Sequence, residues 1–493
     1  MRADGQHRSA QAATRGPIKS VQVDGQHRSA QAATRGPIKS VRVDAAIIGG
    51  GPAGSVAASL LAAKGWKVLL MDKACFPRNK VCGEFLSPAV WPFFKALGIA
   101  PKILELQGTK VTQAHFTGMD GKETEIPLPG PDKEHPYGYG LSRNRLDEFL
   151  LCEAEARGCK IAQASEVREI QRIDSGFLVS GHDFSKKSDF SIQTGIVLNA
   201  AGRFSRWRKS SSEKSTNPAK EKICFKTHFQ ADGQHLPGQA AVRGQNKQVQ
   251  ADGRHLSGQA AARGQNKQVQ TDGGLKEKVR IILFRGGYLG MLGVEGGLVN
   301  VCGTVSERRF KQAGSDFDQL LHEISGEQSY LREWLPKASR SNPWLSCGPQ
   351  IHQFRGGFKD GIFYAGDAAC SYEPFMGQGM TMAIAGAFLF SDLAGKAIPS
   401  GQTLKMIGGL YHRKFERMLR PKMHLGNLLN FMTGGFDKKA GWKEKLLFHP
   451  KILKAGLKKA CEIPFSGYRN TWPGDDAPQW PKSTAREPAE IPR

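Results

Sequence analysis

Residues 44–72, DAAIIGGGPAGSVAASLLAAKGWKVLLMD, restrict the fold more than any other stretch of the chain. The apolar run 45–48 reads as a buried strand, and Gly49-Gly50-Gly51-Pro52-Ala53-Gly54 follows it as a turn. Residues 55–64 have the small, apolar composition of a helix lying on a sheet, and 68–71 make a second strand closing on Asp72. G-x-G-x-x-G between strand and helix is a dinucleotide-binding turn. Gly49 permits the bend, Gly51 lets the backbone approach a pyrophosphate, and Gly54 brings the helix against the strand. The free N–H groups of the first helical turn then face the phosphates, where the helix dipole favours negative charge. Asp72 is suited to accept from both hydroxyls of an adenosine ribose, with Lys73 beside it. This motif alone does not separate FAD from NAD.

A second glycine-rich turn lies about 300 residues further on, in IFYAGDAACSYEPFMGQGMTMAIAGAFLFSDLAG, residues 362–395. A short strand delivers Gly366-Asp367, and a loop through Gly377-Gln378-Gly379-Met380 opens a long apolar helix. The Asp367 carboxylate suits a ribityl or ribose hydroxyl. The backbone N–H groups of 377–380 suit phosphate and the pyrimidine edge of a flavin. Two separated anchors fit FAD, whose two halves need separate holds, and argue against NAD as the sole nucleotide.

Composition matters mainly for what surrounds these motifs. Residues 4–21 recur letter for letter at 24–41, and a related 20-residue unit fills 231–250 and again 251–270. Rich in Gln, Gly, Ala and Arg, the copies have almost nothing to bury, so they read as solvated low-complexity peptide and not as a stacked solenoid. A translated repetitive DNA element inserted at a surface position is the simplest origin, and removing 230–271 should leave flavin binding intact. The formal charge is +25, and fourteen Lys/Arg against three acids fall between Lys405 and Ala460. That basic region suits a peripheral membrane surface or a solvated face over a substrate cavity. The chain holds nine cysteines with no C-x-x-C pair and no run of 18 apolar residues. Reduced thiols in the cytoplasm, no membrane-spanning helix and no metal site are therefore expected. Nucleic acid is not an expected partner, because the basic repeats lack interleaved aromatics.

Residues 73–88, KACFPRNKVCGEFLSP, resemble the segment F-P-R-x-K-x-C-G of flavoproteins in the geranylgeranyl reductase, flavin halogenase and para-hydroxybenzoate hydroxylase-like monooxygenase superfamily. In that superfamily the segment runs beside the flavin, which implies Arg78, Lys80, Val81, Cys82 and Gly83 as cofactor neighbours. GLSRNRLDEFLLCEAEARG, 140–158, resembles the family's S-R-x-x-L/F-D helix, whose arginine, here Arg143, approaches the flavin phosphates. The resemblance also places Val167 at the adenine. IVLNAAGRFSRWR, 196–208, resembles A-D-G-x-x-S-x-x-R of the hydroxylases, with Ala201 in place of the aspartate and Gly202 kept. That substitution weakens the case for tight NAD(P)H use, leaving NAD(P)H as a transient reductant. Residues 286–305 resemble the reductases' cavity strands at Tyr288 and Asn300, whereas the W-x-W-x-I-P signature of tryptophan halogenases is absent.

The resemblance implies an α/β fold: a Rossmann-like FAD-binding domain, a mixed or antiparallel β-sheet substrate domain and a helical C-terminal region. The expected boundaries are 1–43 for the first repeat pair, then 44–108, 140–208 and 351–403 for the FAD domain. The substrate domain takes 109–139 and 209–350 with the insertion 230–271, ahead of basic helices at 404–462 and a tail at 463–493. The expected function is FAD-dependent oxidation or reduction of a hydrophobic isoprenoid, aromatic or polyketide-like molecule, as a monooxygenase or a double-bond reductase. Cys82 and Glu84 are the candidate proton donors. An electron-donor partner, a carrier protein and peripheral membrane contact are the expected partners. The alternatives are a halogenase using Lys110 and a flavoprotein with an impaired active site.

Overall fold

In the computed structural model of the chain, the first apolar run forms strand β1, Val41–Ile48, beginning ahead of the apolar segment itself. The structure describes residues 41–203, 222–231, 275, 277–348, 353–371, 374–397, 403–433 and 449–462, all within the compact unit Ser40–Arg493. The repeat copies, apart from Val41 and Ala231, and the tail after 462 lie outside the described residues, as does 204–208 of the hydroxylase-like motif.

β1 pairs in parallel with Ser188–Asn199 on one edge and with β2, Val68–Met71, on the other. A strand inside a covered parallel sheet is a continuous apolar run, which is why 45–48 shows no alternation. Helix α1, Pro52–Ala62, is buried at every residue, matching its Ala-rich composition. The sheet runs Phe358–Lys359, Ile362–Tyr364, Ser188–Asn199, β1, β2, Lys160–Ala162, so its central strands come from distant parts of the chain. Lys160–Ala162 lies on β2, whereas Ser165–Ile173 pairs with Gly176–Asp183.

A second, mixed sheet is ordered Lys222–Ala231, Leu298–Ser306, Gly287–Gly293, Lys278–Phe284, Gln113–Thr117, Glu123–Pro127. Ala338–Arg340 and Leu345–Cys347 both pair with Lys222–Ala231. The sequence suggests a hairpin between the strands flanking the repeats. Instead two strands stand between them, an offset that no tight turn spans. The strand before the repeats also runs through Ala231, so a clean deletion starts beyond that residue.

The basic C-terminal region forms Leu404–Thr433, with Pro421 inside it, and Pro450–Cys461. In the last helix Leu453 and Leu457 meet the apolar cluster of Val111, Phe116 and Ile126, while Lys451, Lys454, Lys458 and Lys459 stay exposed. No helix among the described residues is long and apolar enough to cross a membrane.

Candidate functional site

The glycine turn is built so that two of its glycines serve the fold and one serves a ligand. A Cβ on Gly54 would lie 1.8 Å from the Gly49 carbonyl oxygen, and one on Gly49, at φ +105°, 2.4 Å from that of Ala200. Gly51 differs: the nearest atoms to an added Cβ are the guanidinium nitrogens of Arg143 at 3.7 Å and Arg78 at 3.9 Å. It caps α1 in extended backbone with no side-chain cap. The N-terminus of α1 and two guanidinium groups thus converge on Gly51, the combination that draws an anion. Gly51→Ala should therefore leave the melting temperature of the apo protein unchanged, yet weaken FAD binding at least tenfold. A fluorescence titration with FAD checks this.

Asp72 holds this turn. Its Oδ2 accepts from Gly50 N at 2.7 Å and its Oδ1 from Ala74 N at 2.8 Å, with the Arg78 guanidinium 3.8 Å away. The carboxylate expected at a ribose is thus also the clamp of the glycine loop. Arg143 follows the N-cap Ser142 on helix Arg143–Ala156. Its Nε and Nη2 donate to Asp147 Oδ1 and Oδ2 at 2.8 and 2.6 Å. The i, i+4 spacing sets this bidentate pair, which fixes the guanidinium beside Gly51. Lys80 completes the cationic group; burial and the Arg143 charge push its ammonium below the usual lysine range, partly offset by Asp367.

The decisive question is whether the two glycine motifs meet. A Cβ on Gly366 would touch Ala53 Cβ at 3.4 Å. Gly51, Pro52, Ala53, Cys82, Glu84, Arg143, Gly202, Gly366, Asp367, Gly377, Gly379 and Met380 all line one cavity of about 230 Å³. Lys80, Arg143 and Arg203 are its cationic lining, and its apolar lining includes Phe116, Ile281, Tyr288 and Leu292 of the second sheet. Phe375 closes against Tyr288, ring centroids 5.2 Å apart, and Leu457 of the last helix reaches the same space.

Several expected residues take other places. Val167 is buried in the core of the first sheet, and Gly49, Gly54, Asp72, Lys73, Arg78, Val167, Ala201 and Gln378 do not line the cavity. Gln378 accepts from Ser87 Oγ at 3.1 Å and donates to Cys461 Sγ at 3.8 Å, tying the loop to the last helix instead of meeting a ring edge. Lys110 Nζ lies over the Tyr137 ring at 5.1 Å and is absent from the cavity wall, so it is not placed for halogenation chemistry.

Glu84 also departs from the role of proton donor. It is fully buried at φ +57°, and its Oε1 accepts from Arg143 N at 2.7 Å and from Lys226 Nζ. Its Oε2 accepts from His228 Nε2 at 2.6 Å, and Asn342 Nδ2 donates to His228 Nδ1 at 3.0 Å. Burial alone would raise the carboxyl, but the His228 hydrogen bond and the Lys226 charge outweigh it and hold Glu84 below the usual carboxylate range. A group held ionised by three donors anchors the Arg143 backbone and gives up no proton near neutral pH. Cys82 is half-buried in the cavity wall facing Met380, and Cys302 lies near it with its thiol pushed by burial up to about 12.

Lys226, His228 and Asp147 carry this framework and went unread in the sequence. Lys226 and His228 stand two apart on one strand, hence on one face, among apolar neighbours. That alternation, and the i+4 offset of Asp147 from Arg143, were the available signals.

Residues 42–248 match the FAD binding domain family. The chain is 30% identical over 175 residues to the 1H-pyrrole-2-carbonyl-[peptidyl-carrier protein] chlorinase of Pseudomonas fluorescens, covering 32% of this chain and 38% of that protein. It is 32% identical over 169 residues to digeranylgeranylglycerophospholipid reductase 1 of Methanothermobacter thermautotrophicus, covering 33% of this chain and 40% of the relative. The chain thus spans well under two thirds of these relatives. The fold is that of the myxobacterial chondrochloren halogenase CndH (TM-score 0.64, 18% identity, 84% of this chain and 90% of that one). It is equally that of a geranylgeranyl bacteriochlorophyll reductase-like protein from Thermoplasma acidophilum (TM-score 0.61, 16% identity, 88% and 100%).

Proposed function

We propose that this chain is an FAD-dependent oxidoreductase acting on an apolar small molecule, as a monooxygenase or a double-bond reductase. One observation carries the reading: a single cavity joins the Gly51 phosphate cradle and Asp367 to an apolar wall from a different sheet. FAD, when bound, supplies the two-electron chemistry. The chain's own residues bind and position. Gly51 and the α1 N-terminus, with Arg143, Arg78 and Lys80, would hold the pyrophosphate. The turn at Gly377, Gly379 and Met380 would face the flavin ring. Phe116, Tyr288, Phe375 and Leu457 would exclude water from the substrate. For reduction, Cys82 is the cavity thiol beside Arg143, whereas Cys302 is held protonated by burial.

NAD(P)H as transient reductant, an electron-donor protein and a carrier protein belong to this proposal. The exposed lysines of Pro450–Cys461, on the helix whose Leu457 lines the cavity, suit an acidic carrier or an anionic membrane surface next to the substrate. Halogenation is the second reading, favoured by the chlorinase match. In that reading Lys80, not Lys110, is the lysine at the cavity.

The purified protein should be yellow, with flavin absorbance that survives gel filtration. A colourless protein that takes up no added FAD would overturn the proposal. Product mass from a panel of prenyl and phenolic compounds then separates the reactions: gain of oxygen, of two hydrogens, or of halogen in the presence of halide. Leu457→Asp should raise KM for the accepted apolar compound about tenfold or more while leaving the flavin spectrum unchanged.

A further inference from the structure

Two cysteines that the proposed chemistry does not use stand opposite one another, and one of them, Cys224, lines the same cavity. Cys224, on Lys222–Ala231, is the register partner of Cys347, on the antiparallel strand Leu345–Cys347. Directly opposed residues of an antiparallel pair have Cα atoms about 4.5–5.5 Å apart, inside the roughly 4.4–6.8 Å that a disulfide spans. The two thiols hydrogen-bond each other, and Arg203 Nη1 donates to Cys347 Sγ at 3.5 Å. Cys224 is buried from outside solvent but faces the cavity, while Cys347 is half-buried. Neither is in a disulfide.

We propose that Cys224, in the cavity wall, and its register partner Cys347 form a reversible disulfide site, closed by a hydroperoxide such as hydrogen peroxide. The site stands on the strand register and the arginine contact, and it holds whether or not the FAD reading does.

Charge assigns the roles within the pair. The hydrogen bond from Cys224 and the Arg203 charge, against burial, bring the Cys347 thiol down to about 6, while the same hydrogen bond and burial push Cys224 up. Cys347 is therefore the attacking thiolate and Cys224 the resolving thiol. Cys347 sulfur attacks one peroxide oxygen and the O–O bond breaks, giving a sulfenic acid and hydroxide. Cys224 sulfur then attacks the sulfenic sulfur and the S–O bond breaks. The Cys224 proton and the departing hydroxyl leave as water. The dithiol loses two electrons, and the peroxide, now water and hydroxide, takes them. Oxidation also removes one negative charge felt by Arg203, Asp367 and Lys80, which line the cavity, so the redox state of the pair resets the electrostatics there.

The test uses the full-length protein, reduced, desalted and treated with equimolar hydrogen peroxide. After alkylation, non-reducing peptide mapping should show the Cys224–Cys347 linkage as the dominant product, and dithiothreitol should reverse it. At pH 6.5, iodoacetamide should modify Cys347 about tenfold or more faster than the exposed Cys75, as expected for a thiol mostly ionised at that pH. Cys224→Ala should stall oxidation at a Cys347 sulfenic acid that dimedone traps, and Cys347→Ser should give neither linkage nor label at Cys224. Linkage of another pair such as Cys82 and Cys302, no linkage at equimolar peroxide, or Cys347 alkylation no faster than that of Cys75 would each overturn the proposal. The wild-type mapping decides the matter even where a variant folds poorly.

Discussion

Replacing Lys226 with methionine should destabilise the protein by about 3–5 kcal/mol at neutral pH, the range for breaking a buried ion pair by removing one partner. Glu84 is fully buried and Lys226 is 1% exposed, so no water reaches in to replace the ammonium. The pH dependence gives the sign. Glu84 has a folded pKa below the ordinary value of 4.5, so its contribution is fully present above that value and is lost as pH falls through the lower folded one. In Lys226→Met the carboxyl rises, and the variant relieves itself by taking up a proton. The stability gap between wild type and variant should therefore be widest near pH 7 and narrow on acidification toward pH 4 and below. Urea denaturation at both pH values measures it. The double variant Lys226→Met, Glu84→Gln should recover most of the loss, because it removes the uncompensated charge; a double variant no better than the single would show that packing, not charge, sets the cost.

Gly54→Ala should be the most damaging single-methyl change in the nucleotide domain. The added carbon would sit 1.8 Å from the Gly49 carbonyl oxygen, so β1 and α1 must separate before it fits. Overpacking of this severity costs about 3 kcal/mol. The same displacement moves the first turn of α1 off the phosphate position, so FAD affinity should fall about 100-fold, equivalent to a similar energy. Chemical denaturation and an FAD titration read the two losses separately. The comparison with Gly51→Ala isolates the cause: one glycine is needed for helix against strand, the other for ligand against backbone. Equal apo stability of the two variants would remove that distinction.

Both glycine motifs were legible as a sequence because each is a local device. A bend at Gly49, a close approach at Gly54 and a strand-to-loop switch at Gly366 are consequences of backbone sterics over a few residues. The N-cap at Ser142 and the helix after it were legible for the same reason. Gln378, Val167 and Lys110 were not, since which way each side chain points depends on elements far away in the chain: the last helix, the core of the first sheet and Tyr137. The supposed hairpin around the repeats failed because sequence neighbours usually pair, and here two later strands take the intervening places. Glu84 was read as an acid from its motif, and its chemistry was reversed by Lys226 and His228, more than 140 residues on.

What the amino-acid order decided unaided is the nucleotide-binding turn, its strand–helix–strand setting and the second anchor ending in Asp367, because short-range geometry leaves few other conformations for those residues. Tertiary structure alone decided that the two anchors share one cavity, that a second sheet gives it an apolar wall, and that a carboxylate in that wall and a thiol pair beside Arg203 are set by partners from remote strands. Charge and burial are sums over whatever surrounds a group in space, and a one-dimensional pattern does not contain that sum.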